Sequence, residues 1–237
     1  MTTDSSIYES GWLREITGSA LRPGGVALTD RAIDWCGFHA DAFLLDVGCG
    51  SGATVEHLRS KYGFNAWGVD ISQKLIEEGL RRNSSLPLLT AAAEKLPASA
   101  DSLDGVICEC VLSLLDEPVK ALHEYYRALR NGGYLIISDM YSRQAESVSG
   151  ADITSLPPDV CTGSKTSRDQ IESCLAECGF TVLLWEDHTR LLKELAARIM
   201  LIHGSLDGFM DTGNGPCCGK NKPGYYLLVA RKDSLVS

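Results

Sequence analysis

Residues 42–52, AFLLDVGCGSG, constrain this chain more than any other stretch. An apolar run from Phe43 to Leu45 ends at Asp46. Three glycines follow in strict alternation, Gly48, Gly50 and Gly52, and then a helical pattern, ATVEHLRSKY. This reads as strand, glycine turn, helix. Glycine lacks a Cβ, so the backbone there can take positive φ and pass close beneath a ligand. In open α/β sheets, a turn of this kind at the carboxyl end of a parallel strand is where nucleotide-like ligands bind.

The spacing narrows the ligand. Dinucleotide folds use G-x-G-x-x-G, with a helix N-terminus facing a pyrophosphate. Here the pattern is D-x-G-x-G-x-G, with a carboxylate two residues before the first glycine. Asp46 would repel a phosphate but suits a cation. S-adenosyl-L-methionine (SAM), with its ammonium, its sulfonium and no phosphate, fits that demand. A second acid supports it. FNAWGVDIS, residues 64–72, reads as the next strand, ending at Asp70, 24 residues after Asp46. A carboxylate at that strand end is placed to accept the two hydroxyls of a ribose; the competing reading makes Asp70 a cap for the helix that follows.

The alternation continues. Strands are expected near 42–47, 65–70, 86–90, 104–109, 134–140, 181–187 and 225–232. Helices are expected near 52–62, 72–82, 117–130, 167–178 and 189–203. Alternating strands and helices imply parallel strands joined by right-handed crossovers. Asn131-Gly132-Gly133 reads as a helix stop before a strand. Residues 1–40 read as a helical extension, with stretches near 5–17 and 29–37 and Thr29 or Asp30 as the cap of the second. Residues 41–237 then form one α/β domain.

With these motifs in hand, the chain resembles the class I SAM-dependent methyltransferases, in particular the methyltransferase type 11 and ubiquinone–menaquinone C-methyltransferase group. LLDVGCGSG is similar to their first motif and GVDIS to their acidic second-strand motif. AAAEKLPASADSLDGVICECVLSLLDEP is similar to D-A-E-x-L-P-F-x-D-x-S-F-D-x-V, and ALHEYYRALRNGGYLIISDMY to L-x-E-x-x-R-V-L-K-P-G-G-x-L-x-x-x-D. The likeness is continuous over about residues 38–145. It implies a Rossmann-like, doubly wound, seven-stranded and mostly parallel sheet whose last strand is antiparallel, with an N-terminal helical extension that often folds over the cofactor; Tyr8, Trp12 and Arg14 could line that lid. It also implies SAM as cofactor, S-adenosyl-L-homocysteine as product, and a cofactor site at Asp46, Gly48, Cys49, Gly50, Gly52, Asp70, Ile71, Ala92, Ala93, Glu94 and Glu109. Where the family often has an Asp for the adenine amino group, this chain has Ala92. Adenine recognition is then expected from backbone near Ala92 and Ala93, with Glu94.

Composition bounds the acceptor. The net charge is −9 and no Lys/Arg cluster stands out, which disfavours nucleic-acid phosphates as a partner. No run approaches the roughly 20 apolar residues of a membrane span, and MTTDSSIYES lacks a signal-peptide pattern. The expectation is a cytoplasmic enzyme with a small-molecule acceptor. Methyl transfer needs alignment at near-attack distance, and a base only when the nucleophile is protonated and weakly acidic. Candidates after the fourth and fifth strands are Glu109, Asp139 and Tyr141, with His188 as the one histidine to test.

Nine cysteines are many. Burial is their commonest fate, and no disulfide framework is expected in a reducing compartment. Cys174 and Cys178 share a helix face and read as packing. Cys161 lies in Val160-Cys161-Thr162-Gly163-Ser164, and Cys217-Cys218 lies in a glycine-rich loop. Locally this resembles arsenite methyltransferases, which carry Cys-x-Gly-Ala/Ser after the fifth strand. Cys161, Cys217 and Cys218 are therefore candidate ligands for a soft acceptor such as As(III), with Cys161 a candidate catalytic residue. A SAM-binding regulator without turnover is the remaining alternative.

Overall fold

The computed structural model describes residues 22–143, 166–204 and 222–233. In chain order the elements are α1 (Gly25–Cys36), β1 (Phe43–Val47), α2 (Ala53–His57), a π-helical turn (Leu58–Tyr62), β2 (Asn65–Asp70), α3 (Gln73–Arg82), β3 (Leu88–Thr90) and β4 (Leu103–Glu109). A 3-10 turn (Leu112–Leu114), α4 (Pro118–Ala128), β5 (Leu129–Ser142), α5 (Arg168–Glu177), β6 (Phe180–Asp187), α6 (Thr189–His203) and β7 (Pro223–Lys232) follow. The strands form one seven-stranded sheet in the order β3-β2-β1-β4-β5-β7-β6. β1 to β5 pair in parallel, and β7 runs antiparallel between β5 and β6.

Strands buried on both faces explain the continuous apolar runs. Successive side chains of a strand point to opposite faces. Leu45, Cys108, Ile137 and Leu228 accordingly pack in one cluster with Leu122 and Tyr125 of α4 and Leu175 of α5. Their neighbours Leu44, Ile107, Ile136 and Leu227 pack in another with Leu28 and Ile33 of α1 and Leu192 of α6. A third, smaller cluster joins Cys49, Val55, Ile76, Leu86 and Leu88 beneath α2 and α3. Each fully buried Leu or Ile contributes roughly 1.5–3 kcal/mol of transfer free energy. Two-sided cover is what an all-parallel strand block requires.

Element boundaries depart from the sequence reading in three places. α1 begins at Gly25, after Gly24 in the left-handed conformation (φ 79), so Thr29 lies inside the helix and fully buried instead of capping it. The helix expected at 52–62 turns from α to π at Leu58. α4 ends at Ala128, and pairing of β5 to β4 starts at Leu129 but resumes only at Tyr134. The residues between, including Gly132 at φ 78, bulge out of register, so Asn131-Gly132-Gly133 shapes a strand irregularity and not the helix end.

α1 packs into the sheet as one of its covering helices. Residues 1–21, with the expected helix near 5–17 and Tyr8, Trp12 and Arg14, lie outside the described residues, as do Cys161, Cys217 and Cys218. Among the described residues, no helix is long and apolar enough to cross a membrane. At the far end of the sheet, Lys232 of β7 is buried, and its ammonium donates to Asp101 Oδ1 at 2.7 Å and to the carbonyls of Tyr126 at 2.8 Å and Leu129 at 2.7 Å.

Candidate active site

β1 lies between β2 and β4, so the crossovers leave it in opposite directions, and a crevice opens at the carboxyl ends of these strands. A cavity of about 490 Å³ lies there. Its walls come from the turn after β1, the ends of β2 and β4, the segment after β3, the 3-10 turn and Arg22.

The turn after β1 is tied to β2. The N–H groups of Gly48 and Cys49 both donate to the Val69 carbonyl, at 2.8 and 3.0 Å. Gly50 N–H donates to Asp70 Oδ2 at 2.8 Å, and Gly52 N–H to the Cys49 carbonyl at 2.8 Å. These four donors are spent within the protein. Those four are therefore not free to cradle a phosphate.

The three glycines serve different ends. All have positive φ: 71° at Gly48, 54° at Gly50 and 81° at Gly52. A Cβ on Gly48 would lie 2.1 Å from Val111 Cγ2, and one on Gly52 would lie 2.8 Å from Leu88 Cδ1. Those two glycines make room for protein packing; Gly48 borders the cavity and Gly52 does not. A Cβ on Gly50 meets no protein atom within 4 Å. Gly50 alone of the three offers its bare backbone face to a ligand. Cys49 borders the cavity, but its side chain packs against Gly68 of β2, and burial pushes its thiol pKa far up.

Three charged side chains meet above β1 and β4. Asp46 is buried. Burial raises its pKa well above the usual carboxylate value. Glu109 raises it further, Arg22 opposes the shift and Asp70 adds to it. Glu109 accepts from Thr29 Oγ1 at 2.9 Å and from Thr54 Oγ1 at 3.4 Å, and forms an ion pair with Arg22 Nη2 at 2.7 Å. Arg22 Nη2 also donates to Thr29 Oγ1 at 2.6 Å. Burial opposes the charge on Arg22, but Glu109 and then Asp46 outweigh it, and its pKa is raised. Arg22 thus pairs with Glu109, and Asp46 is a second buried acid beside the pair, pushed toward its neutral form.

The rest of the pocket is a diol-sized polar point and an apolar slot. Asp70 holds Gly50 N–H with Oδ2 and Ser72 N–H with Oδ1, each at 2.8 Å, while also bordering the cavity. The helix cap itself is Ser72, whose Oγ accepts from Leu75 N–H. Ile71, which is 76% exposed, Ala91, Ala93 and Leu115 supply apolar wall, and Glu94 lies at the edge. Ala92 does not border the cavity; its carbonyl closes a turn with Lys95 N–H at 3.2 Å.

The acceptor-side candidates fare differently. Asp139 does not border the cavity. Its Oδ2 accepts from Ser113 N–H at 2.9 Å, and its Oδ1 from Ser113 Oγ and Met140 N–H, each at 2.7 Å. Burial raises its pKa and these bonds oppose the rise. It therefore anchors the 3-10 turn. Tyr141 is also away from the cavity. It packs edge-on to Trp185 and Tyr226 and donates to the Asp187 carboxylate, and burial with Asp187 pushes its hydroxyl up to about 12. His188 precedes α6, with Nε2 at 3.0 Å from Glu186 Oε2, and is likewise not part of the cavity. Cys110 does border it, in the left-handed region at φ 57, with Sγ 3.1 Å from the Tyr225 hydroxyl; burial pushes its pKa far up, so it is a neutral thiol. Cys108, Cys174 and Cys178 are buried in the core; Cys174 is disulfide-bonded, contrary to the expectation drawn from cysteine usage.

Sequence reasoning missed Arg22, Thr29 and Thr54. Arg22 lies in the sequence Leu21-Arg22-Pro23-Gly24-Gly25, which reads as a turn, and Thr29 reads as a cap. Thr29 reaches Glu109 from α1 and Thr54 from α2, while Arg22 reaches it from the segment before α1.

Residues 45–137 match a family model described as a methyltransferase domain. An arsenite methyltransferase of Halobacterium salinarum is 28% identical over 171 residues, covering 60% of this chain and 43% of the relative. A demethylmenaquinone methyltransferase of Renibacterium salmoninarum is 28% identical over 126 residues, covering 53% of each. The chain spans about half the length of such curated relatives. Among solved structures, Haemonchus contortus phosphoethanolamine N-methyltransferase 2 in complex with SAM superposes with a TM-score of 0.72 at 19% identity, covering 98% of this chain and 58% of that one. Residues 45–137 of this chain are thus similar in sequence to the methyltransferase domain, and its sheet order is that of the Rossmann-like methyltransferase fold.

Proposed function

We propose that the protein transfers a methyl group from SAM to a small-molecule acceptor, leaving S-adenosyl-L-homocysteine. The observation that carries this reading is the charge pattern of one cavity. Two buried acids, Asp46 and Glu109, stand with the single arginine Arg22 beside a glycine turn whose Gly48, Cys49, Gly50 and Gly52 N–H groups are already bonded. Such a site favours a cation over a phosphate. When bound, SAM supplies a methyl carbon already activated by the attached sulfonium.

The chain's own residues do the rest. Asp46 and Glu109 offset the positive charge of the ligand. Asp70 borders the cavity, where its carboxylate is placed to accept from ribose hydroxyls. Ile71 and Ala93 give a flat ring an apolar seat, and the bare face of Gly50 lets the ligand lie against the backbone. Water exclusion and alignment then govern the rate. Glu109 is held by two hydroxyls and an arginine, so its part is electrostatic positioning and not proton abstraction.

Calorimetric titration tests the cofactor reading. SAM and S-adenosyl-L-homocysteine should bind, and NAD should not; binding of NAD alone would overturn it. Detection of S-adenosyl-L-homocysteine with a panel of small acceptors tests turnover, and binding without turnover across a broad panel would favour the regulator.

A second reading has support of its own. The likeness to an arsenite methyltransferase favours a soft, thiophilic acceptor, with Cys161, Cys217 and Cys218 as its ligands. Arsenite should then stimulate S-adenosyl-L-homocysteine production, and Cys161→Ser should remove the stimulation without weakening SAM. Absence of turnover with arsenite removes this reading and leaves the first intact.

A further inference from the structure

Asp30 of α1 does not border the cavity, yet its carboxylate gathers three donors from one short stretch of chain. Oδ1 accepts from His57 Nε2 at 2.6 Å and from the Tyr62 hydroxyl at 2.8 Å, and Oδ2 accepts from the Lys61 ammonium at 2.8 Å. Burial opposes the charge on Asp30, but the bonds from His57, Lys61 and Tyr62 outweigh it and hold the pKa at about 2, so the group is a carboxylate at neutral pH. His57 ends α2, and Lys61 and Tyr62 close the π-helical turn. That turn explains how they converge. A π-helix bonds residues five apart, which brings Tyr62 over His57; their rings meet edge-on at 6.1 Å. Tyr62 stacks flat on Phe64 at 5.3 Å, and Lys61 Nζ lies 5.0 Å over the Tyr62 ring. In an α-helix residues three and four apart share a face, so Tyr62 would turn away from His57.

The other end of the same helix walls the cavity. Ala53 and Thr54 border it, about one turn before His57. α2 has only five residues, fewer than the roughly 12–15 that a helix needs to persist alone. Val55 and Leu58 are buried and fix its depth, and the polar contacts at its two ends set its roll. Asp30 is the fixed point of the pair. Thr29 beside it is fully buried, and Leu28, Ala32 and Ile33 seat α1 in the sheet. We infer that Asp30 is a positioning residue for the cofactor cavity: by gathering His57, Lys61 and Tyr62 it keeps residues 58–62 in the π-helical form and sets the roll of α2, so that Ala53 and Thr54 stand on the cavity wall. It acts through α2 and touches no ligand. This rests on the SAM reading above and adds to it a residue outside the cavity.

The test is calorimetric titration of the intact full-length protein with S-adenosyl-L-homocysteine, each variant held well below its own Tm. Asp30→Ala should weaken binding by about 5- to 30-fold. Thr54→Val measures the route. If Asp30 acts through α2, Asp30→Ala should cost about threefold less, or better, in a Thr54→Val background than in the wild type. Lys232→Met is the control for stability alone. It removes a buried ammonium at the far end of the sheet and should lower Tm while leaving affinity within about threefold of wild type. Should Asp30→Ala not fold, Tyr62→Phe takes its place in the same cycle. It keeps the ring on Phe64, removes one bond to Oδ1, and should weaken binding by about threefold. A folded Asp30→Ala protein within about threefold of wild type, or unchanged affinity in Tyr62→Phe, overturns the assignment. So do losses that simply multiply in the double variant, or a loss in Lys232→Met equal to that in Asp30→Ala. A wild-type protein that binds neither SAM nor S-adenosyl-L-homocysteine refutes the cofactor reading and this inference with it, a result distinct from any loss confined to the variants.

Discussion

Replacing Gly50 by Ala separates ligand contact from folding. The new methyl meets no protein atom within 4 Å, so packing does not oppose it. The cost to the fold is the left-handed backbone at φ 54, about 1–2 kcal/mol for an L-residue. For a chain of this size that lowers Tm by roughly 2–8 °C at about 2–4 °C per kcal/mol. The same methyl occupies the face on which a ligand is expected to lie, and affinity for S-adenosyl-L-homocysteine should fall about 100-fold or more, equivalent to at least about 2.7 kcal/mol. Gly48→Ala is the internal contrast. Its methyl would lie 2.1 Å from Val111 Cγ2, so overpacking of about 1–3 kcal/mol adds to the backbone strain. Gly48→Ala should be the less stable protein and Gly50→Ala the poorer binder when each is measured below its own Tm. Thermal melts read the first quantity and calorimetry the second. A folded Gly50→Ala protein that binds S-adenosyl-L-homocysteine within threefold of wild type would refute the placement of the ligand on this turn.

Three further predictions follow from the same geometry. Asp70→Ala should weaken SAM by roughly 30- to 1000-fold, because it removes the ribose acceptor and unties Gly50; a loss below about threefold would mean that Asp70 only organises the loop. Asp139→Asn should lower Tm by several degrees, about 1–3 kcal/mol for disturbed buried bonds, while the pH–rate profile keeps its shape; disappearance of one limb of that profile would make Asp139 a base after all. The pH dependence of binding should follow Asp46. Its folded pKa is raised by burial and by Glu109, so it holds a proton at pH values where an unfolded aspartate, near about 4, has lost it. Its contribution to stability is therefore full below that unfolded value and is lost as pH rises through the raised one. A cationic ligand favours the ionised form, so SAM affinity should rise with pH across the same window, with protons released on binding; buffers of different ionisation enthalpy would report the release, and Asp46→Asn should abolish it.

The parts of this protein legible in its sequence are those encoded locally. β2 at 65–70 falls where the sequence places it, because Asp70 and Ser72 mark its end and the next helix in consecutive residues. The seven strands were readable because burial on two faces leaves apolar runs with few interruptions. The site was readable where an acid or a glycine ends a strand, and not where function depends on partners distant in the chain. Thr29 and Glu109 are 80 residues apart, and nothing near Thr29 distinguishes a buried relay from a helix cap. Asp139 and Tyr141 illustrate the converse. Their place near the end of β5 suggested an acceptor edge, but Ser113 and Asp187 claim them, and neither contact leaves a trace in spacing. Ala92 and Ala93 are adjacent and alike, and only the path of the turn decides that Ala93 borders the cavity.

The position of β7 bears on the order in which the molecule can be built. Chains emerge from the ribosome N-terminus first, and β6 is synthesised before β7. Yet β6 reaches the sheet only through β7, which lies between it and β5. Until residues 223–232 emerge, β5 presents an open strand edge and β6 has no ladder to join. Such an edge invites pairing with other chains. The Lys232 ammonium, bonded to the carbonyls of Tyr126 and Leu129, comes from the end of that same strand, so the step that closes the edge also fastens β7 to helix α4. A nascent chain stalled before residue 223 should be a sticky, incomplete sheet, and the arrival of ten residues should close it.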